Sequence, residues 1–212
     1  MKSPTSHLRA VKRSLKKAEK IVSGVDPNQT TTDLQRLKVR SFIMLTHAAL
    51  EEYFETISKS VAMEARKAFI ERGTICHCLM ALISLKAQNG KTDSEKRDNI
   101  KNLSKNIDDF SKEALNQYIN IINNNHGIRK QNLNNILLPI GIDIEYEDIL
   151  LSNALDTFGS TRGNVAHKFH HIQTEPTLSS IKTELQTIEN NLIDFDKAVC
   201  STLRYKKQIR PT

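Results

Sequence analysis

From Leu178 to Leu203, eight apolar residues (Leu178, Ile181, Leu185, Ile188, Leu192, Phe195, Val199 and Leu203) recur at steps of three or four. That period follows the 3.6-residue turn of an α-helix and puts all eight on one stripe, which another element must cover. A strand would alternate with a period of two, so this stretch cannot be part of a sheet. It calls for a long helix packed against a long neighbour, either within the chain or from a second molecule. Two other stretches repeat the pattern. Leu8, Val11, Leu15, Ala18 and Val22 form one stripe, and Leu50, Tyr53, Phe54, Ile57, Val61, Ala65 and Ala68 form another. With 7 Gly, 5 Pro and no Trp in 212 residues, the composition favours an all-helical chain over a sandwich or an α/β enzyme. We expect an all-α, up-down bundle of long helices forming one domain over residues 1–212. A basic N-terminal helix within 1–28 and a loose basic tail at 205–212 are expected as appendages.

Taken in order, the signals predict a helix over 5–23 and a break at Gly24–Asn28, followed by a long helix from a Thr30–Asp33 cap to Arg72. Gly73 ends it, and Thr74 is expected to cap a helix over 75–87. Residues 88–98 read as a polar loop. A helix over 100–123 follows, with an interruption near Asp108 left open. After the Asn123–Gly127 break come a short helix over 128–138 ended by Pro139, a turn at 141–143, a helix over 146–172, and a last helix over 177–204.

The formal net charge is +7, from 31 Lys+Arg against 24 Asp+Glu, which suits an anionic partner without requiring one. Arg9, Lys12, Arg13 and Lys16 lie on the polar side of the first helix, as RNA contacts or simply as a solvated face. Cys76, Cys78 and Cys200 are odd in number and lack framework spacing, which fits a reducing cytoplasm. Cys76-His77-Cys78 is too tightly spaced for a zinc knuckle and has no second ligand pair, so neither a metal nor a cofactor is expected. The first residues are basic with no apolar run behind them, and no apolar stretch approaches the roughly 20 residues of a bilayer span. The expectation is a soluble cytoplasmic protein without a membrane partner.

The chemistry concentrates in the 146–172 helix. With Asp156 set at zero and about 100° per residue, Ser160, Gly163, Asn164, His167, His170 and His171 share its sector, opposite Leu151, Leu155, Phe158, Val165, Phe169 and Ile172. Arg162 is the misfit, because it projects toward the apolar arc, where an unpaired guanidinium is costly. Either an acid or a phosphate meets it there, or the helix restarts near Gly159-Ser160-Thr161. A forked cation within a few residues of an imidazole suits phosphate chemistry. The bland alternative is an ion pair from Arg162 to Glu51, Glu52 or Asp156 that pins two helices. His47 and Glu51, one turn apart on the long second helix, read either as a boundary pair or as groups reaching toward Arg162.

Arg162-Gly163-Asn164-Val165-Ala166-His167 resembles the Arg-x(4–6)-His motif of the HEPN superfamily. Phe42–Tyr53 (FIMLTHAALEEY) and Asn132–Asp143 (NLNNILLPIGID) resemble its RiboL-PSP branch, found in bacterial defence and stress proteins. The likeness spans most of residues 30–200. It implies a helical bundle and a metal-independent endoribonuclease, with Arg162, His167 and Asn164 as catalytic residues; Glu51, Asp156, Ser160, His170 and His171 are candidate supports by their places on the two helices. It further implies a homodimer in which two motifs face one cleft, RNA as substrate, and an antitoxin or defence-system partner. The family usually carries a polar residue directly after the arginine. Here Gly163 takes that place, and the amide follows at Asn164, an i,i+3 neighbour of His167. Phe169 stands where some members carry a modifiable tyrosine. A non-catalytic HEPN module that binds RNA, a nucleotide or a protein is the alternative implication.

Overall fold

The computed structural model describes residues 1–90, 92–167 and 176–204, His167 by its backbone alone. Its order is α1 (Ser6–Glu19), α2 (Asp33–Arg72), α3 (His77–Gln88), α4 (Asp93–Lys105), α5 (Ile107–Asn123), α6 (Lys130–Leu137), α7 (Ile144–Glu147), α8 (Ile149–His167) and α9 (Leu178–Ser201). Short 3-10 turns extend α1 and α6. There is no strand among the described residues. The fold is the expected all-α bundle, and among the described residues no single helix is long and apolar enough to cross a membrane.

The bundle is built on α2, whose 40 residues reach about 60 Å at 1.5 Å per residue. Thr32 and Gln35 close a reciprocal capping box at its start. Gly73, at φ 63°, turns the chain out of the helix in the left-handed conformation that glycine adopts without strain. Between these ends Phe42, Ile43, Leu50, Phe54, Ile57, Val61, Ala62 and Ala65 are fully buried. The helix packs against α1, α3, α5, α8 and α9.

α1 lies in the groove between α2 and α9, antiparallel to both. His7 Nε2 sits 3.0 Å from Ser60 Oγ, and Glu19 at the other end accepts from Lys182 at 2.9 Å. Leu8, Val11, Leu15 and Ala18 are buried there, while Lys12, Arg13, Lys16 and Lys17 stay exposed. The buried Asp196 of α9 accepts from the Thr5 amide at 3.1 Å, from the Thr5 hydroxyl and from Tyr53 at 3.3 Å. Phe195 packs edge-on to Phe54, with 5.0 Å between ring centres. All the members of the 178–203 stripe from Leu178 to Val199 are buried in the intramolecular core.

Several boundaries differ from the sequence reading. The polar stretch 88–98 contains the start of α4, nucleated by a Thr92/Glu95 capping box. α4 buries no residue, so it carries no periodic apolar signal. The interruption left open near Asp108 does occur, two residues earlier at Asn106, whose side chain caps α5 by accepting from the Asp109 amide at 3.2 Å. α3 starts at His77, and Cys76 rather than Thr74 occupies its cap position. The 146–172 helix is split at Asp148, whose φ of −155° ends α7 and whose carboxylate accepts from Leu151 N at 2.9 Å to start α8.

Candidate active site

α8 runs unbroken through Gly159-Ser160-Thr161, so the restart alternative does not occur. Gly159 serves packing instead. A Cβ there would lie 2.8 Å from Arg129 Cγ, so the missing side chain lets α8 press against the α5–α6 loop. Leu151, Leu155, Phe158 and Val165 are buried as expected, and Ser160 and Asn164 are exposed.

Arg162 is half-buried and faces α2. Its Nε is enclosed without a hydrogen-bond partner, and no carboxylate pairs with it among the described residues. Its charge acts on His47, a ring only 3% exposed on α2. Burial first, and then the neighbouring guanidinium, push the His47 pKa down from 6.5 to about 4. At neutral pH this imidazole is uncharged, so the 3.6 Å approach of Glu51 Oε2 to its Nδ1 is a polar contact and not an ion pair. The uncharged ring can lie beside Arg162 without repelling it.

Glu51 and Glu55 continue up α2 at one-turn spacing from His47. Glu55 Oε1 accepts from Asn125 Nδ2 at 2.9 Å. Burial pushes its carboxyl above the ordinary range, Asn125 and His126 pull it back, and Glu51 and Glu52 add to the rise. Asn125 and His126 come from the α5–α6 loop, and His126 is exposed. The site thus joins three elements: α8 brings a cation, α2 a neutral imidazole and two carboxyls, and the loop an amide and a second imidazole. Such a set can hold an anion and offers hydrogen-bonding groups of both signs around it. No group of three or more His, Cys, Asp or Glu among the described residues could hold a metal.

Asp156 is committed elsewhere. Its Oδ1 accepts from Arg129 Nε at 3.3 Å and from Lys130 N at 3.2 Å, which places a carboxylate at the first turn of α6.

A family model described as RiboL-PSP-HEPN matches residues 8–201. The chain belongs to the RiboL-PSP-HEPN family. No curated protein and no solved structure matched it. In this RiboL-PSP-HEPN chain the Arg-x4-His motif forms the last two turns of α8, with Arg162 directed at α2 and His167 on the final described turn. His170 and His171 lie outside the described residues, as does the 205–212 tail. Sequence reasoning passed over Glu55, Asn125 and His126. The four-residue step from Glu51 to Glu55 was a usable signal for the first. The loop pair had no signal, because Asn123–Gly127 reads only as a helix break.

Proposed function

We propose that this protein is a metal-independent endoribonuclease acting through Arg162 and His167. The reading is carried by the state of Arg162: a forked cation beside a neutral imidazole, its Nε enclosed and unpartnered, in a chain of HEPN type. A guanidinium already paired with its own carboxylate would have little left for a substrate.

The reaction follows from these groups. An RNA 2′-hydroxyl attacks the adjacent phosphorus, the P–O5′ bond breaks, and the products are a 2′,3′-cyclic phosphate and a 5′-hydroxyl. One group takes the 2′ proton and another returns a proton to the departing oxygen. His167 is assigned the first of these tasks. Arg162 meets the charge growing on the non-bridging oxygens, with two parallel N–H donors where geometry allows. Asn164 and Ser160, both exposed on α8, are assigned to orienting His167 or donating to the phosphate. The second proton-transfer group is the His167 of a second copy, in a homodimer that sets two motifs across one cleft. Gly163, standing where the family carries a polar residue, favours the competing reading of a non-catalytic HEPN module.

One experiment separates the two. Wild type should cleave single-stranded RNA in EDTA to 2′,3′-cyclic phosphate ends. Arg162→Ala and His167→Ala, folded by circular dichroism, should lose at least a hundredfold in rate. Inert wild type, or activity that needs Mg²⁺, rejects the nuclease.

A further inference from the structure

The groove between α2 and α9 continues past the start of α1. There Glu64, Ala68 and Arg72, at four-residue spacing on α2, meet Lys197, Cys200, Leu203 and Arg204 from the end of α9, with Met1, Lys2 and Ser3 across the mouth. Together they line a cleft of about 320 Å³, at the small end of the range for small-molecule sites. Its floor is small and apolar, with Ala68 7% and Cys200 6% exposed. Its rim is cationic. Lys197 is held by Asp194 at 2.7 Å, but Lys2, Arg72 and Arg204 are exposed and make no ion pair among the described residues. The one carboxylate in the lining is Glu64. Ser3 Oγ, in the segment across the mouth, is enclosed without a hydrogen-bond partner. Cys200, pushed up by burial, is a thiol that belongs to the floor and not to the chemistry.

Three unpaired side-chain cations against one carboxylate, two of them guanidinium forks, suit an anion with several oxygens and more than one negative charge. The apolar floor admits an uncharged portion beside it. We propose that this cleft binds a phosphoryl-bearing ligand, separately from the Arg162 site. Arg72 lies 25 residues beyond His47 on the same helix, about 37 Å at 1.5 Å per residue, so one phosphate cannot serve both places. A free nucleotide and the backbone of an RNA chain share the required chemistry. The inference does not depend on the nuclease reading.

The test is calorimetric titration of the full chain with pyrophosphate, with ATP and with a short single-stranded RNA, at constant ionic strength. Wild type should bind at least one probe saturably. The Arg72→Gln/Arg204→Gln double variant, altered only at exposed positions and checked by circular dichroism, should bind that probe at least tenfold more weakly. In an Arg162→Ala background the same double change should still weaken binding of that probe at least tenfold. A loss seen with pyrophosphate or ATP assigns the site to free nucleotides, and a loss confined to RNA assigns it to the nucleic-acid backbone. Absence of saturable binding for all three probes, equal binding by the double variant, or loss of the Arg72/Arg204 dependence in the Arg162→Ala background overturns the proposal. A catalytically inert protein that still shows the Arg72/Arg204 dependence would sink the nuclease reading and leave this one standing.

Discussion

His47 shows how one side chain ties stability to the state of the site. Its folded pKa of about 4 lies below the 6.5 of an unperturbed imidazole, so the unfolded chain binds the proton more readily. The stabilisation from keeping the ring neutral is present above pH 6.5 and is lost as pH falls toward 4. A gap of that size corresponds to about 3 kcal/mol at the acid end. Denaturant midpoints for wild type should therefore fall between pH 6.5 and 4. His47→Leu, similar in bulk and unable to titrate, should show a distinctly flatter decline. Parallel curves for the two proteins would show that His47 does not titrate in this window. The same contact bears on Arg162, since acid that charges His47 sets two cations side by side and should push the guanidinium out of its seat.

On α8, two glycines four residues apart have opposite surroundings. Gly159 lies against Arg129 and Ile128, and Gly163 has nothing within 4 Å of a would-be Cβ. Gly159→Ala should destabilise by about 1–3 kcal/mol, because the loop must retreat. Gly163→Ala should stabilise by up to about 1 kcal/mol through helix propensity alone. Thermal melts of the two variants should move in opposite directions, and a common direction would contradict this packing. The same helix shows what the sequence could and could not disclose. Leu151, Leu155, Phe158 and Val165 announced their buried face because apolar burial repeats with the turn. Asp148 did not announce the break before α8, because a capping carboxylate looks like any polar residue until its backbone leaves the helix. α4 was missed for the complementary reason: it fully buries no residue, and beyond its cap it rests on the half-buried Leu103 and on the Asn99 bond to Lys86 O. At the site, Arg162 and His167 were legible as a motif and His47 with Glu51 as a one-turn pair. Asn125 and His126 reach Glu55 only through the path of the α5–α6 loop, which local periodicity does not encode.

Across the whole molecule, the exposed side of α2 suggests where a second copy would dock. Leu34, Leu37 and Leu45 are 64%, 47% and 49% exposed, and with Ser41 and Ala48 they make a stripe at helical spacing that ends beside Glu51 and Glu52. Apolar residues grouped along one exposed helix face mark interaction surfaces more often than scattered ones do. If this stripe is the dimer seam, light scattering should give a dimer mass for wild type and a monomer for Leu45→Glu, with RNA cleavage falling alongside. A monomeric wild type at tens of micromolar, or an unchanged Leu45→Glu dimer, would move the seam elsewhere.

The clasp on Asp196 has a practical corollary. Two of its three donors come from Thr5, outside the first helical turn, in a stretch that protein engineers routinely shorten. Expression clones that start later would leave the buried Asp196 carboxyl with one phenol for company, at a cost of about 1–3 kcal/mol for each bond left unmade. The leading residues act as a counterweight to that acid, so poor yield from a trimmed clone would say nothing against the bundle itself.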